Sequence, residues 1–436
     1  MWIKWSNDSE HIVLSNKYSL QFGAQIPPKI KFHFGSFETE RELTLSTLLT
    51  KDTIVLPVSI KLNFMIPDTL PYDLRIDENG LHLGPVIAIL TSRVNVSPGI
   101  RTKYLEYLWD YKNLKGLIYL CPLEGVNPAK TGIEGYYYQP DKLGSAGIWK
   151  KGVFPYPDVV YRRIVVNRND KYDHLLITVG HKIFNPSFLD KWAVWKALQD
   201  NPKINPHLPK TALLRNAKEV ICMLKDYGSV YLKPVSGSFG RGIVKIELTN
   251  KGYLWKHKNT KKKLSQKKLI KLLCYQKRRR TYLFQQSVSL KVHNKHVDFR
   301  VIMQKNNTQT WNCTGIIARY GMKGKHYTND VSALKLGVDG LKNALNLNDL
   351  QIKLKTQEIL SLCTLVCENL DKLHGPYADL GLDVAIDTNY KVWLLEINFR
   401  HMHNIAALVG QQSSMYSKVI TRPLEFAKAF AGYSTP

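Results

Sequence analysis

The chain has 436 residues, 44% of them hydrophobic, and carries 62 Lys and Arg against 35 Asp and Glu, a formal net charge of +27. Such a length calls for two or three domains, because single cores stop growing well before it. No apolar run reaches the about 20 residues of a membrane span, and the opening MWIKWSNDSE has no signal-peptide apolar region. The 6 cysteines form no C-x-x-C pair, which argues against a zinc knuckle or a disulfide framework. A cytoplasmic location with reduced cysteines is the expectation.

Residues 1–82 read as a small β domain. KIKFHF alternates Ile30, Phe32 and Phe34 on one face, IKLNFMI alternates Ile60, Leu62, Phe64 and Ile66, and HIVLSNKYSLQF predicts a hairpin turning at Asn16 and Lys17. Pro67, Pro71 and Gly80 punctuate the connection to GPVIAILTS, a run of buried-strand type, which is followed by the helical TKYLEYLWDYKNL and a second buried run, GLIYLC. This β-α-β order implies a small open α/β lobe over residues 83–180. It lacks a phosphate-binding glycine motif after its first strand, so it reads as a structural or substrate-side lobe. The third domain, residues 181–436, starts with a helix from Ser187 as N-cap, apolar at Leu189, Trp192, Val194, Trp195 and Leu198, with Asp190 and Lys191 in its first turn.

The stretch YLKPVSGSFGRGIVKIE places a loop with Gly237, Gly240 and Gly242 between two short strands, with Lys233 closing the first. Glycines let backbone N–H groups take positive φ and approach an anion closely. Ser236 and Ser238 add hydroxyl donors, and Lys233 and Arg241 add charge. The same pattern also fits an ordinary turn. The spacing fits neither a dinucleotide fingerprint nor a Walker A loop.

Residues 255–280 then carry 12 basic residues and no acid. Leu264, Leu269, Leu272, Leu273 and Tyr275 give this segment an apolar stripe, which predicts a helix with a basic face. That face is either plain solvated surface or a contact for an anionic partner. Aromatics are not interleaved through it, so loose polyanion binding is expected and specific nucleic-acid binding is not.

Three further strands carry polar residues: YLFQQSVSL with Gln285 and Gln286, the DFRV strand with Asp298 and Arg300 on one face, and WNCTGIIARY with Arg319. The stretch LGLDVAIDTNYKVWLLEINFR reads as two strands joined by a turn at Thr388 and Asn389. Glu396 and Asn398, two apart, share a face, and opposite Asp383 they would make an all-oxygen site suited to Mg²⁺.

The ordered set of a lysine with a glycine-rich hairpin, D-F-R, and D…E-I-N resembles the ATP-grasp superfamily. Together with LPYDLRIDENGLHLGPVIAILTS, FQQSVSLKVHNKHVDFRVIMQK and DVAIDTNYKVWLLEINFRHMH, it resembles more closely the YheC/YheD-type proteins described as endospore coat-associated. The resemblance implies an ATP-grasp fold of two α+β subdomains clasping ATP, an α+β/α/β chain in all. The α/β lobe and the β domain would precede this fold.

It also implies ATP and Mg²⁺ as cofactors and an ADP-forming ligation of a carboxylate to an amine through an acyl phosphate. Lys191, Lys233, Ser236, Gly237, Ser238, Gly240 and Gly242 would hold the phosphates. Gln285 and Gln286 would lie beside adenine, where a glutamate is usual, and Asp298 would take the ribose hydroxyls. Arg300 and Arg319 would face the phosphates and the developing acyl phosphate, and Asp383, Glu396 and Asn398 would hold the metal. Association with the spore and its coat components is a further implication. The alternatives are a nucleotide-binding coat protein with weak or no catalysis, and a polyanion binder acting through residues 255–280. Two places depart from the family pattern. DVSALKLG follows Asn329 where a Gly-Gly is usual, and Phe399, Arg400, His401, Met402 and His403 stand where proline and glycine usually follow Asn398.

Overall fold

The computed structural model describes residues 1–8, 10–22, 25–62, 64–129, 132–141, 147–166, 169–237, 240–258, 260–288, 290–292, 295–322, 331–409 and 413–433. Ser238 and Asn329 lie outside these. The chain forms two compact units: residues 1–186 with 305–310 and 420–436, and residues 187–304 with 311–419.

Among its described residues the first unit contains two sheets. One has seven strands in the order Trp2–Ser6, Thr53–Pro57, His11–Ser15, Phe37–Ser46, Lys29–Phe34, Gly80–Gly84 and Asp73–Asp77. Ile30, Phe32 and Phe34 all turn inward, as their alternation predicts. Two neighbouring readings fail. His11–Ser15 runs into a 3-10 helix, Asn16–Phe22, and pairs in parallel with Phe37–Ser46 rather than turning back as a hairpin. Ile60 belongs to a second 3-10 helix, Val58–Leu62, although Ile60, Phe64 and Ile66 are buried. Pro57, which lacks an N–H, ends the preceding strand, and short apolar runs do not distinguish strand from tight helix by periodicity.

The second sheet has six strands in the order Ile148–Pro155, Gly132–Gln139, Leu117–Pro122, Val86–Ser92, Val159–Arg162 and Ile183–Phe184. Val86–Ser92 and Leu117–Pro122 pair in parallel across the helical segment between them, the expected β-α-β.

The second unit also has two sheets. The first, antiparallel throughout, runs Thr211–Leu213, Tyr282–Gln286, Ser229–Pro234, Val244–Thr249, Gly252–His257 and Thr260–Leu264. Helices Ala217–Tyr227 and Gln266–Arg279 cover one face through Val220, Leu224, Leu269 and Leu273 against Val230, Leu232, Val244 and Ile246. The basic segment is therefore only partly helical. Its first part is an antiparallel hairpin whose Tyr253, Trp255 and Leu264 enter the core while Lys261, Lys262 and Lys263 stay exposed. Alternation every two residues on the buried side decides that part.

The other sheet runs Val331–Leu336, Trp311–Gly321, Lys295–Lys305, Asp379–Ile386 and Val392–Asn398. Helix Asp349–His374 covers it, with helix Lys191–Gln199 packed on that helix. The N-cap of Lys191–Gln199 is Asp190, which accepts from the N–H groups of Trp192 and Ala193. Ser187, expected as the cap, instead bonds the Tyr377 hydroxyl at 2.7 Å. A carboxylate facing the first turn is the better cap because the helix dipole favours its charge.

Candidate functional site

Strand alternation decides which side chains meet. On Lys295–Lys305, Val297, Phe299, Val301 and Met303 pack into the helix-covered core, which leaves Asp298, Arg300 and Gln304 on the other face. On Asp379–Ile386, Leu380, Leu382, Val384 and Ile386 enter the same core, leaving Asp379, Asp383 and Ala385. Register then sets Arg300 opposite Asp383, and Gln304 opposite Asp379.

On the edge strand, Val392, Leu394, Ile397 and Phe399 face the core. Asp383 pairs with Glu396 but the next residue, Val384, pairs with Leu394, so Leu395 is the extra residue of a bulge. The bulge shifts the phase and gathers Trp393, Leu395, Glu396 and Asn398 on the polar face. Asp383, Glu396 and Asn398 thus lie on one side of the sheet, as the two-residue spacing predicts. Directly opposed residues hold their Cβ atoms about 4.5–5.5 Å apart.

Asp383 is the hub. Its carboxylate takes Arg300 Nε at 2.5 Å and Nη2 at 3.2 Å, Arg319 Nη2 at 3.0 Å and Asn398 Nδ2 at 3.3 Å. Burial raises its pKa, but the two guanidinium groups overcome this and hold it down at about 2. Arg319 also donates to Asp298 at 2.7 Å, and the two carboxylates raise its pKa against the effect of burial. The Asp–Arg pairs cross between strands but are buried, at 6–7% exposure, unlike an exposed surface pair. Glu396 is more open and pairs with Lys191 Nζ at 3.3 Å.

The glycine hairpin sits on the other sheet of this unit. Gly237, Gly240 and Gly242 have φ of 138°, 67° and 78°, the left-handed side that the anion-loop reading requires. Lys191 Nζ donates to the Gly237 carbonyl at 2.9 Å, so this lysine links the loop to Glu396. Lys233, half-buried as a residue with its ammonium set deep, donates to Gln285 Oε1 at 2.6 Å. Burial lowers its pKa to about 8, with Glu396 and Asp383 pulling upward and Lys191 downward. Ser236 is exposed beside the loop.

Gln285 is buried, held between Lys233 and Thr211 Oγ1, and so it orients the lysine. Gln286 donates its N–H to the Lys210 carbonyl and Ser287 donates to the Ser229 carbonyl. Both N–H groups are thus engaged within the protein, beside the Gln285 and Gln286 pair expected near adenine. Sequence reasoning missed the apolar patch of Val288, Ala385, Trp393 and Leu395 on the carboxylate face. Trp393 and Leu395 alternate in the sequence, but only the bulge reveals that they share a face with Glu396.

A family model described as YheC/D like ATP-grasp matches residues 180–430. The chain belongs to this family. It is 26% identical over 412 residues to the endospore coat-associated protein YheD of Bacillus subtilis (strain 168), covering 86% of this chain and 88% of that one. It is 26% identical over 270 residues to YheC of the same organism, covering 58% and 73%. Among solved structures, it is similar to the ATP-grasp ligase PsnB complexed with minimal precursor, Mg and ADP, with TM-score 0.46, 11% identity and coverage of 79% and 98%. It is also similar to D-alanyl-alanine synthetase A from Vibrio cholerae, with TM-score 0.45, 13% identity and coverage of 80% and 98%.

The donor set in this YheC/D-like ATP-grasp chain fits a hard divalent cation: two carboxylates and an amide, all able to present oxygen, on one sheet face with Asp383 fully ionised. Arg300 and Arg319 stand beside it with their guanidinium groups fixed by carboxylates. No helix among the described residues is long and apolar enough to cross a membrane. Past Asn398, Phe399 enters the core against Tyr377, while His401 and His403 are buried.

Proposed function

We propose that this protein is an ATP- and Mg²⁺-dependent ligase that joins a carboxylate to an amine or similar nucleophile, releasing ADP and inorganic phosphate. The observation that carries the reading is Lys191, which bridges the Gly237 carbonyl of the glycine loop and the Glu396 carboxylate. One side chain thus touches both the glycine loop and one of the three residues read as metal ligands, with Lys233 within the field of Glu396 and Asp383.

In this reading the glycine-loop N–H groups, Lys191 and Lys233 neutralise the triphosphate, and Gln285 keeps Lys233 pointed at it. The apolar patch around Trp393 and Leu395 provides a floor for the flat base, and Asp298 meets the ribose. Mg²⁺, held by Asp383, Glu396 and Asn398, would supply charge neutralisation at the phosphates. Arg300 and Arg319 hold positive charge where an attacking substrate carboxylate meets the γ-phosphorus. No protein nucleophile is required, because positioning and electrostatics suffice for phosphoryl transfer. The acyl phosphate is then displaced by the amine. Spore-coat association is proposed from the names of the YheD and YheC relatives.

The test is ADP release from the protein with ATP, Mg²⁺ and mixtures of amino acids or cell-wall peptides. Acceptor-dependent ADP release that Glu396→Gln abolishes is the expected result. Nucleotide binding without ADP release for any acceptor would favour a nucleotide-binding coat protein instead.

A further inference from the structure

The segment that follows Asn398 builds a second cluster that the ligase reading does not use. His401 Nε2 lies 2.8 Å from Asp379 Oδ1 and His403 Nε2 lies 2.9 Å from Asp379 Oδ2. One ligand-type atom from each residue lies within 4.8 Å of the other two, and among the described residues no other set of three His, Cys, Asp or Glu does so. All three residues are at most 2% exposed.

The carboxylate is supported from behind. Gln304 Nε2 donates at 2.8 Å both to Asp379 Oδ1 and to the Val419 carbonyl, while Thr314 Oγ1 donates to Gln304 Oε1 at 2.7 Å. This chain fixes which end of the amide faces Asp379, the kind of outer-shell support that metal-binding carboxylates carry. Gly381, between Asp379 and Asp383 on the same face, leaves the space His401 occupies: a Cβ there would lie 2.7 Å from His401 Cβ and 3.2 Å from Arg300 Cδ. Ile302, Ile317, Ile405 and Val419 form an apolar cluster on this same side of the sheet.

We propose that Asp379, His401 and His403 form a buried three-ligand site for a divalent transition-metal ion, with zinc the representative that fits best. Two imidazoles and one carboxylate are a borderline N/O donor set. Hard Mg²⁺ prefers oxygen alone, so this site is chemically distinct from the one at Asp383, Glu396 and Asn398.

Zinc–ligand distances near 2.0–2.1 Å in a tetrahedron put neighbouring donors roughly 3.3 Å apart, against 2.8 and 2.9 Å between each imidazole and its carboxylate oxygen and at most 4.8 Å across the whole set. Binding displaces the Nε2 protons, leaving each imidazole neutral with its proton on Nδ1. The ion ties the segment after Asn398 to the first residue of the Asp383 strand, at the open end of that antiparallel pair. The inference does not depend on the ligase reading.

The experiment uses the full chain, purified without metal-affinity resin. Elemental analysis gives its metal content; the chain is then stripped with a chelator and titrated with Co²⁺, followed by visible absorption and by displacement with Zn²⁺. One equivalent per chain is expected, with a ligand-field spectrum that Zn²⁺ abolishes and millimolar Mg²⁺ does not. His403→Gln should weaken binding at least a hundredfold. A folded wild-type chain that retains no metal and gives no cobalt spectrum overturns the proposal, as does a folded His403→Gln variant with wild-type affinity. Should the variant not fold, the wild-type spectrum alone decides.

Discussion

Lys233→Met should weaken nucleotide binding and also remove its pH dependence. Lys233 is held down at about 8 because burial strips water from its ammonium, beyond what Glu396 and Asp383 return. A triphosphate placed beside it restores a counter-charge and pushes its pKa back toward the ordinary lysine range, so binding takes up a proton once the pH exceeds about 8. Affinity is therefore full below that pH and falls above it. If only the charged form binds, the fall from about pH 7.5 to 9.5 is about twentyfold, over a range where the phosphates themselves are fully ionised.

Methionine keeps the length and removes the charge. Losing a charge-assisted contact in a partly dry site costs about 1.5–3 kcal/mol, roughly ten- to over a hundredfold in affinity at pH 7.5. Calorimetric titration with a non-hydrolysable ATP analogue, at the two pH values and for both proteins, gives all four numbers. Unchanged affinity in the variant would reduce the glycine hairpin to a turn. An equal pH slope in both proteins would assign the titration to another group.

Glu396→Gln should abolish phosphoryl transfer yet spare base binding, because it removes one charge at nearly constant shape; ADP release against analogue affinity measures both, and parallel losses would contradict the assignment. Gly381→Ala should destabilise the fold by roughly 1–3 kcal/mol, because its Cβ would meet His401 Cβ at 2.7 Å; urea unfolding checks it, and an unchanged midpoint would mean His401 yields freely. The basic hairpin and helix should bind a short duplex loosely, at least tenfold more weakly at about 200 mM than at 50 mM salt, with neutralisation of Lys261, Lys262 and Lys263 reducing binding further. Fluorescence anisotropy tests this, and tight, sequence-dependent, salt-resistant binding would revive a specific nucleic-acid role.

What could be read in advance was local. Asp298 and Arg300 sit two apart on a strand, as do Glu396 and Asn398, and the glycine loop declares its positive φ in its composition. What could not be read depends on pairing over distance. The bulge at Leu395 has no signature in WLLEIN and becomes visible only when Asp383 is set opposite Glu396 and Val384 opposite Leu394. His401 and His403 look like loop residues until Asp379, 22 and 24 positions earlier, is placed between them. The lysine run misled for a different reason: three exposed lysines dominate the pattern of Thr260–Leu264, while the buried side of that hairpin is carried by Tyr253, Trp255 and Leu264. Ser187 and Asp190 both satisfy the capping pattern; the carboxylate's charge favours Asp190, and the bond from Ser187 to Tyr377 takes the other candidate out of play.

The charges of the site are nearly balanced among themselves. Lys191, Lys233, Arg300 and Arg319 stand against Asp298, Asp383 and Glu396, and three of the four cations already have carboxylate partners. Lys233 differs in leaning on a neutral amide, Gln285, and its lowered pKa reflects that poor compensation. It is the cation with most to gain from a phosphate. Lys191 faces the opposite situation: its ammonium is already shared between the Gly237 carbonyl and Glu396, and a phosphate drawing it away would leave that carboxylate less compensated. In the proposed ligase, nucleotide entry would call for a replacement charge at Glu396, the place proposed for Mg²⁺ with Asp383 and Asn398. Arg300 and Arg319 need no such exchange, since Asp383 and Asp298 hold them in place by paired hydrogen bonds that fix direction as well as charge. In the proposed ligase the two lysines would therefore answer to the nucleotide while the two arginines are positioned beforehand, because each arginine is held by carboxylates and Lys233 by a neutral amide.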